Sequence, residues 1–276
     1  MLCLEARGAA SQGSTMEAVR IKSVALPVEH GGWGLLGEPV LLGLLLAPSW
    51  AGLGVGLAGL GAFLARHPLK LAVADWRARR RVPRTAVAER FASLYVAAAA
   101  AGLALAMTGR PGWWFPLCAA APFALAQFGH DALGRSRHLL PELAGSVALG
   151  SLVAAQLVAG GWPLGRALVA WALLAAKAVG AILYVRTRLR LDRGVAQGPT
   201  LAVAAHAVAL AFGTVLAATG RGPWLAALAF ALLLARAALG LSGSRQRVPA
   251  KTVGLQELAY GFTFVGMLAL GWSLGL

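Results

Sequence analysis

Apolar residues run through this chain in long blocks separated by short polar gaps, and the blocks are about as long as the 17 to 25 residues a helix needs to cross a bilayer. Nine such segments can be drawn, at about 33–49, 51–67, 91–109, 113–130, 140–160, 163–186, 199–219, 222–241 and 255–275. The first two are short and meet at Pro48-Ser49. Their interiors are Ala, Leu, Gly and Val, and small residues let helices approach closely where lipid gives no hydrophobic drive to pack them. The pattern predicts an all-α, polytopic transmembrane helical bundle of about nine spans, occupying 23–276 as one domain. Residues 1–22 are polar and read as a disordered tail. They hold no apolar run followed by a small-residue cleavage site, so no removable signal peptide is expected, and Met16 is a second candidate start.

Composition supports the bilayer as solvent: 59% of the 276 residues are hydrophobic and 13% charged, with a mean hydropathy of +0.71. A soluble core cannot bury that much apolar surface. The formal net charge is +15, and 21 of the 25 Lys and Arg residues fall into alternate gaps. By the positive-inside rule the N-terminus is cytoplasmic and the C-terminus external. Because the basic residues flank spans and form no separate soluble domain, nucleic acid is not an expected partner. Membrane lipids, or an anionic amphipathic or isoprenoid ligand, fit better. Cys3 and Cys118 have neither paired spacing nor nearby His, so no disulfide and no metal site are expected.

Beyond the tail, the acids are Glu29, Glu38, Asp75, Glu89, Asp131, Glu142, Asp192 and Glu257, each in or beside a cytoplasmic gap. Glu89, Asp131 and Glu142 read as neutralising or helix-capping groups. Glu29, Glu38 and Glu257 interrupt apolar sequence, where a charge needs a partner or a water-filled cavity. One polar cluster is Pro27-Val28-Glu29-His30-Gly31-Gly32-Trp33-Gly34, followed by Glu38-Pro39. Adjacent Glu and His can move a proton near neutral pH, glycines permit close backbone approach, and Trp33 suits the membrane interface. The plain alternative is an interfacial helix start.

A second cluster closes the second span with Arg66-His67-Pro68-Leu69-Lys70, then Asp75-Trp76-Arg77 and a basic run to Arg84. If the helix resumes after Pro68, Arg66, Lys70 and Arg77 form a ladder able to hold phosphate; the Arg79 to Arg84 run reads as a lipid-binding basic loop. The third cluster, Lys177, Tyr184, Arg186, Arg188, Arg190, Asp192 and Arg193, leaves the sixth span, and its like charges repel unless an anion or carboxylate lies between them. Lys177 either snorkels or points inward. The fourth is Arg245, Arg247, Lys251 and Glu257 with Tyr260 and Gly261, an inward polar stripe on the ninth span. His206 reads as a packed polar residue and Arg236 as interfacial. The glycines between Gly52 and Gly61 read as helix packing. No phosphate-binding loop, dinucleotide fingerprint or nucleophile elbow is present.

The run Leu26 to Gly34, continuing into Glu38-Pro39-Val40-Leu41-Leu42-Gly43, resembles the opening motif of the YwiC-like family of bacterial membrane proteins, which has no established activity. More distantly, the chain is similar to the UbiA prenyltransferase superfamily. That likeness implies nine spans, a cytoplasm-facing cavity and magnesium held by Asp-rich motifs after spans two and six. The matching places here, 66–84 and 184–193, keep only Asp75 and Asp192 among bases, too few oxygens for the usual magnesium cluster.

The resemblances imply a bacterial inner-membrane location. Three readings stand side by side. In the first, a cytoplasm-facing polar pocket binds or modifies an anionic or isoprenoid lipid. Glu29 and His30 transfer protons, with Glu38, Asp75 and Glu257 as further acids. Arg66, Lys70, Arg186 and Arg190 clamp the anion, and Trp33, His67, Arg77, Lys177, Tyr184, Asp192 and Lys251 line the pocket. No metal or cofactor is required. The second is a transporter with Glu29, Lys177 and Glu257 as coupling charges. The third is a non-catalytic subunit that docks a partner on the basic face.

Overall fold

The computed structural model describes residues 21–26, 31–135 and 138–275. Glu29, His30 and most of the polar tail lie outside the described residues. Among these residues the chain forms ten α-helices: α1 Ile21–Ala25, α2 Gly31–Leu46, α3 Trp50–Arg77, α4 Pro83–Ala106, α5 Phe115–Ala132, α6 Leu139–Ala159, α7 Leu164–Asp192, α8 Thr200–Ala218, α9 Trp224–Gly240 and α10 Ala250–Leu274. From α2 onward each helix sits on one of the nine apolar segments. Five of them (α4, α6, α7, α8 and α10) are long and apolar enough to cross a membrane, and α2 and α9 are shorter apolar helices.

The break between α2 and α3 falls where Ser49 caps α3, its hydroxyl accepting from the Gly52 amide at 3.0 Å. At the charged end α3, α4, α7 and α10 outrun the apolar sequence. Helix α3 continues through Pro68 to Arg77, and α4 starts at Pro83, a residue suited to the first helical position. The run Arg79 to Arg84, expected as a loop, is therefore a tight turn flanked by helix. Residues 83–90 are helical because Thr85 and Ala88 are fully buried, Ala88 in a small cluster with Val24 and Ala72.

Five helices (α3, α5, α6, α7 and α8) stop by one device, in which the two amides past the cap reach back to the last carbonyls. In α8, Arg221 N–H donates to Leu216 O at 2.9 Å and Gly220 N–H to Ala217 O at 3.0 Å. The left-handed position is glycine in four of them, but in α3 it is Arg79, at φ 49°.

Helices α3 and α4 touch backbone to backbone. A Cβ on Gly54 would lie 2.6 Å from Ala106 N and Gly102 O, and one on Gly61 2.7 Å from Ala99 N. The glycine-rich stretch is thus helix packing, as its spacing implied. Helices α2, α6, α7, α8, α9 and α10 pack as a closed ring of neighbours, with α7 leaning inward to touch α2, α9 and α10. Helix α6 joins this ring to α3 and α5 outside it, and its second half is buried throughout. The ring interior is where the remaining polar residues collect.

Candidate functional site

Four charged side chains from four helices of the ring meet in its interior: Glu38 of α2, Lys177 of α7, Arg236 of α9 and Glu257 of α10. Lys177 Nζ donates to Glu38 Oε1, and both side chains are almost wholly buried. Arg236 Nη2 donates to Glu257 Oε2 at 2.9 Å, with Nη1 also 2.9 Å from Oε1. Glu257 feels Lys177 and Glu38 as well as Arg236, so the two pairs form one cluster. Two acids and two bases leave it formally neutral, the arrangement that buried charge demands.

The surroundings are shaped for these charges. Gly261 brings the α10 backbone against the Glu38–Lys177 pair, where a Cβ would collide with the Glu38 carboxylate and lie 3.0 Å from Lys177 Nζ. The Arg236 guanidinium lies 3.8 Å from the Tyr184 ring centroid and 5.2 Å from that of Tyr260. Cationic planes stack favourably on aromatic faces. Arg236 Nε has no hydrogen-bond partner. Nor does Nε2 of His206, whose ring packs on Gly180 while Nδ1, as N–H, donates to Ala202 O at 2.8 Å.

The cluster is closed differently above and below. Toward the sparsely charged end, the ring is filled by Leu173, Phe230, Leu233, Phe264 and Leu268, all 2% exposed or less, with Phe230 and Phe264 edge to face at 4.9 Å. Toward the charged end lies Tyr184, against Gly240 at the end of α9, and then a strap. Arg188 donates to Gly240 O and Gln246 O and pairs with Asp192 at 2.9 Å. Arg245 reaches Asp192 at 3.3 Å and Leu191 O at 3.1 Å, tying the α9–α10 loop to α7.

Of the residues singled out in the sequence, Glu38, Lys177, Tyr184 and Glu257 come together in the ring. Most other described ones do not join them. Arg66 makes a two-point pair with Asp131 (2.6 and 2.9 Å), and Arg77 donates to Ala132 O at 2.8 Å. A ring nitrogen of His67 lies 3.0 Å from Ser23 O, and Lys70 is an exposed residue on the same helix. Arg186 pairs with Glu142 at 2.7 Å and Arg190 donates to Gln197 at 2.8 Å, so acids and amides stand between the like charges of α7. Lys251 is exposed in the first turn of α10, and Trp33 packs edge-on against Phe63 at 5.5 Å.

Asp75 takes a clasping position at the α3–α4 turn. Its carboxylate accepts from Arg84 at 2.8 and 3.2 Å, from Thr85 at 2.8 Å and from Arg80 at 3.4 Å. The Arg84 and Thr85 hydrogen bonds hold this carboxyl well below the usual carboxylate range. Among the described residues no three of His, Cys, Asp and Glu gather as a metal site.

Two residues in this region were missed or misplaced by sequence reasoning. Arg236, read as interfacial, is 8% exposed and inward, because Glu257 lies opposite it. Gln156 is fully buried and donates to Gly52 O at 3.1 Å and Val40 O at 3.3 Å, joining α6 to α2 and α3. A polar amide in an apolar run was the available signal.

Residues 26–157 match the family model described as YwiC-like protein. This segment is YwiC-like. No curated protein and no solved structure matches the chain. The YwiC-like segment covers α2 to nearly the end of α6 and includes the Glu29-His30 motif, Glu38, Asp75 and Gln156, whereas Lys177, Arg236 and Glu257 lie beyond it.

Proposed function

We propose that the chain is a nine-span protein of the bacterial inner membrane whose charged core binds an anionic amphiphile, a carboxylate or phosphate carrying an apolar portion, taken from the cytoplasmic end. The observation that carries this reading is the pair of buried cations, Lys177 and Arg236, each held by a single carboxylate beside an apolar plug, with Arg236 also stacked on Tyr184 and Tyr260. The plug fills the core toward the external end, and by the positive-inside rule the strapped end, beside the basic gaps, faces the cytoplasm. The incoming anion takes over Lys177 and Arg236. Glu38 and Glu257, losing their counterions in a low dielectric, then take up protons. Glu29 and His30, just ahead of α2, are placed in sequence to supply them. Tyr184, Tyr260 and the Leu and Phe layer suit the apolar portion.

Transport of a small anion is a second reading, favoured by the same neutral pairs, since protonating a carboxylate releases a cation. Group transfer to an isoprenoid gains less from the geometry. An apolar groove of about 410 Å³ between α2 and α3 is lined by Trp33, Gly37, Val40 and Leu44, on the opposite face of α2 from Glu38.

The test is thermal melting of the purified protein in phosphatidylcholine nanodiscs, with dodecanoate, farnesyl phosphate and inorganic phosphate as probes. The expected result is a raised midpoint with a tailed anion, absent in the Glu38→Gln, Lys177→Met double variant. An equal response to inorganic phosphate replaces the amphiphile with a soluble anion and favours transport. No response to any probe, or the same response in the double variant, overturns the proposal.

A further inference from the structure

The end of the bundle opposite the basic gaps carries few charges, and no Asp or Glu stands in any of its gaps. Two of its arginines nevertheless converge. Arg166, in the first turn of α7, and Arg221, in the α8–α9 turn, line one hollow of about 370 Å³ with Gly165, Val169 and Gly220. Among the described residues neither makes an ion pair. Two arginines lining one hollow, with no carboxylate at that end to separate them, favour an anion between them.

The backbone of Arg221 and the side chain of Arg166 are held in place. Arg221 N–H donates to Leu216 O at 2.9 Å, behind Gly220 at φ +67°, so its backbone belongs to the α8 stop. Arg166 lies with Cζ 5.7 Å from the Trp162 ring centroid, and Trp162 meets Trp272 edge to face at 5.8 Å. Trp162 is itself fixed by the α6 stop, its N–H donating to Leu157 O at 2.9 Å. Gly165 and Gly220 leave open space where side chains would stand. Exposed arginines that are not anchored would be solvated individually. Here two line a shared space at the sparsely charged ends of the apolar segments, where headgroups are expected.

We infer that Arg166 and Arg221 form a phosphate-binding site on the external face, taking either the phosphodiester of an anionic phospholipid or free phosphate. Planar guanidinium forks match phosphate oxygens two at a time. The site is remote from the charged core and stands whether or not that core binds an anion.

The experiment compares the full-length wild type with Arg166→Gln, Arg221→Gln in nanodiscs of phosphatidylcholine with and without phosphatidylglycerol. Phospholipid retained after release into the gas phase is read by native mass spectrometry. A melting series with inorganic phosphate is run in pure phosphatidylcholine. If the phosphodiester is the ligand, the wild type holds phosphatidylglycerol on the order of tenfold or more over the double variant, and phosphate does not shift melting. If free phosphate is the ligand, it raises the wild-type midpoint and leaves the variant unmoved. Equal lipid retention with equal phosphate response in the two proteins overturns the inference. Both proteins eluting as one monodisperse species shows that the substitutions leave the fold intact.

Discussion

Lys177→Met is expected to destabilise the protein by about 3–5 kcal/mol, because it strands the Glu38 carboxylate in the middle of the ring without a counterion. Methionine fills a similar volume, so the cost is electrostatic and not a cavity. The double variant Glu38→Gln, Lys177→Met should recover most of the loss, since a neutral amide beside a thioether leaves no charge unpaired. Melting in mild detergent, followed by tryptophan fluorescence, measures both. If the single variant melts with the wild type, the pair is solvated in the native protein and the charged core as described does not exist. If the double variant is as poor as the single, the loss came from packing.

Gly261→Leu should be nearly as damaging, by another route. A Cβ there already collides with the Glu38 carboxylate and comes within 3.0 Å of Lys177 Nζ, so a larger side chain must displace the pair or push α10 off α2. Overpacking alone costs about 1–3 kcal/mol, and separating the two charges adds to it. Gly266 is the control on the same helix: a Cβ there meets nothing within 4 Å, so Gly266→Leu should elute and melt like the wild type. Equal tolerance at the two positions, judged by gel filtration and melting, would show that α10 does not press on the pair.

The helices were legible because apolar block length maps directly onto span length, and at the sparsely charged end the boundaries agree to within about three residues. At the charged end α3, α4, α7 and α10 overrun them by about five residues or more. Hydropathy cannot see helix that continues on charged residues, and 68–77, 83–90 and 187–192 are such helix, held by pairs such as Arg84–Asp75 and Arg188–Asp192. The inward charges were legible only as interruptions of apolar sequence: Glu38, Lys177 and Glu257 stood out, but their partners did not. Lys177 and Glu38 are 139 residues apart, and no spacing rule links them. Arg236 was misplaced because an arginine near a helix end usually snorkels to the interface, whereas here α10 sets a carboxylate opposite it. The basic ladders looked available for a ligand because their acids, Asp131 and Glu142, come from other helices.

In the proposed binding mode the core exchanges its own carboxylates for an external anion and takes up protons as it does so. Infrared difference spectroscopy of the reconstituted protein, with and without farnesyl phosphate at neutral pH, tests this most directly. The expected result is a protonated-carboxyl band that appears with the ligand and is lost in Glu38→Gln, Glu257→Gln. Ligand binding with no such band, or the same band in that double variant, would contradict it.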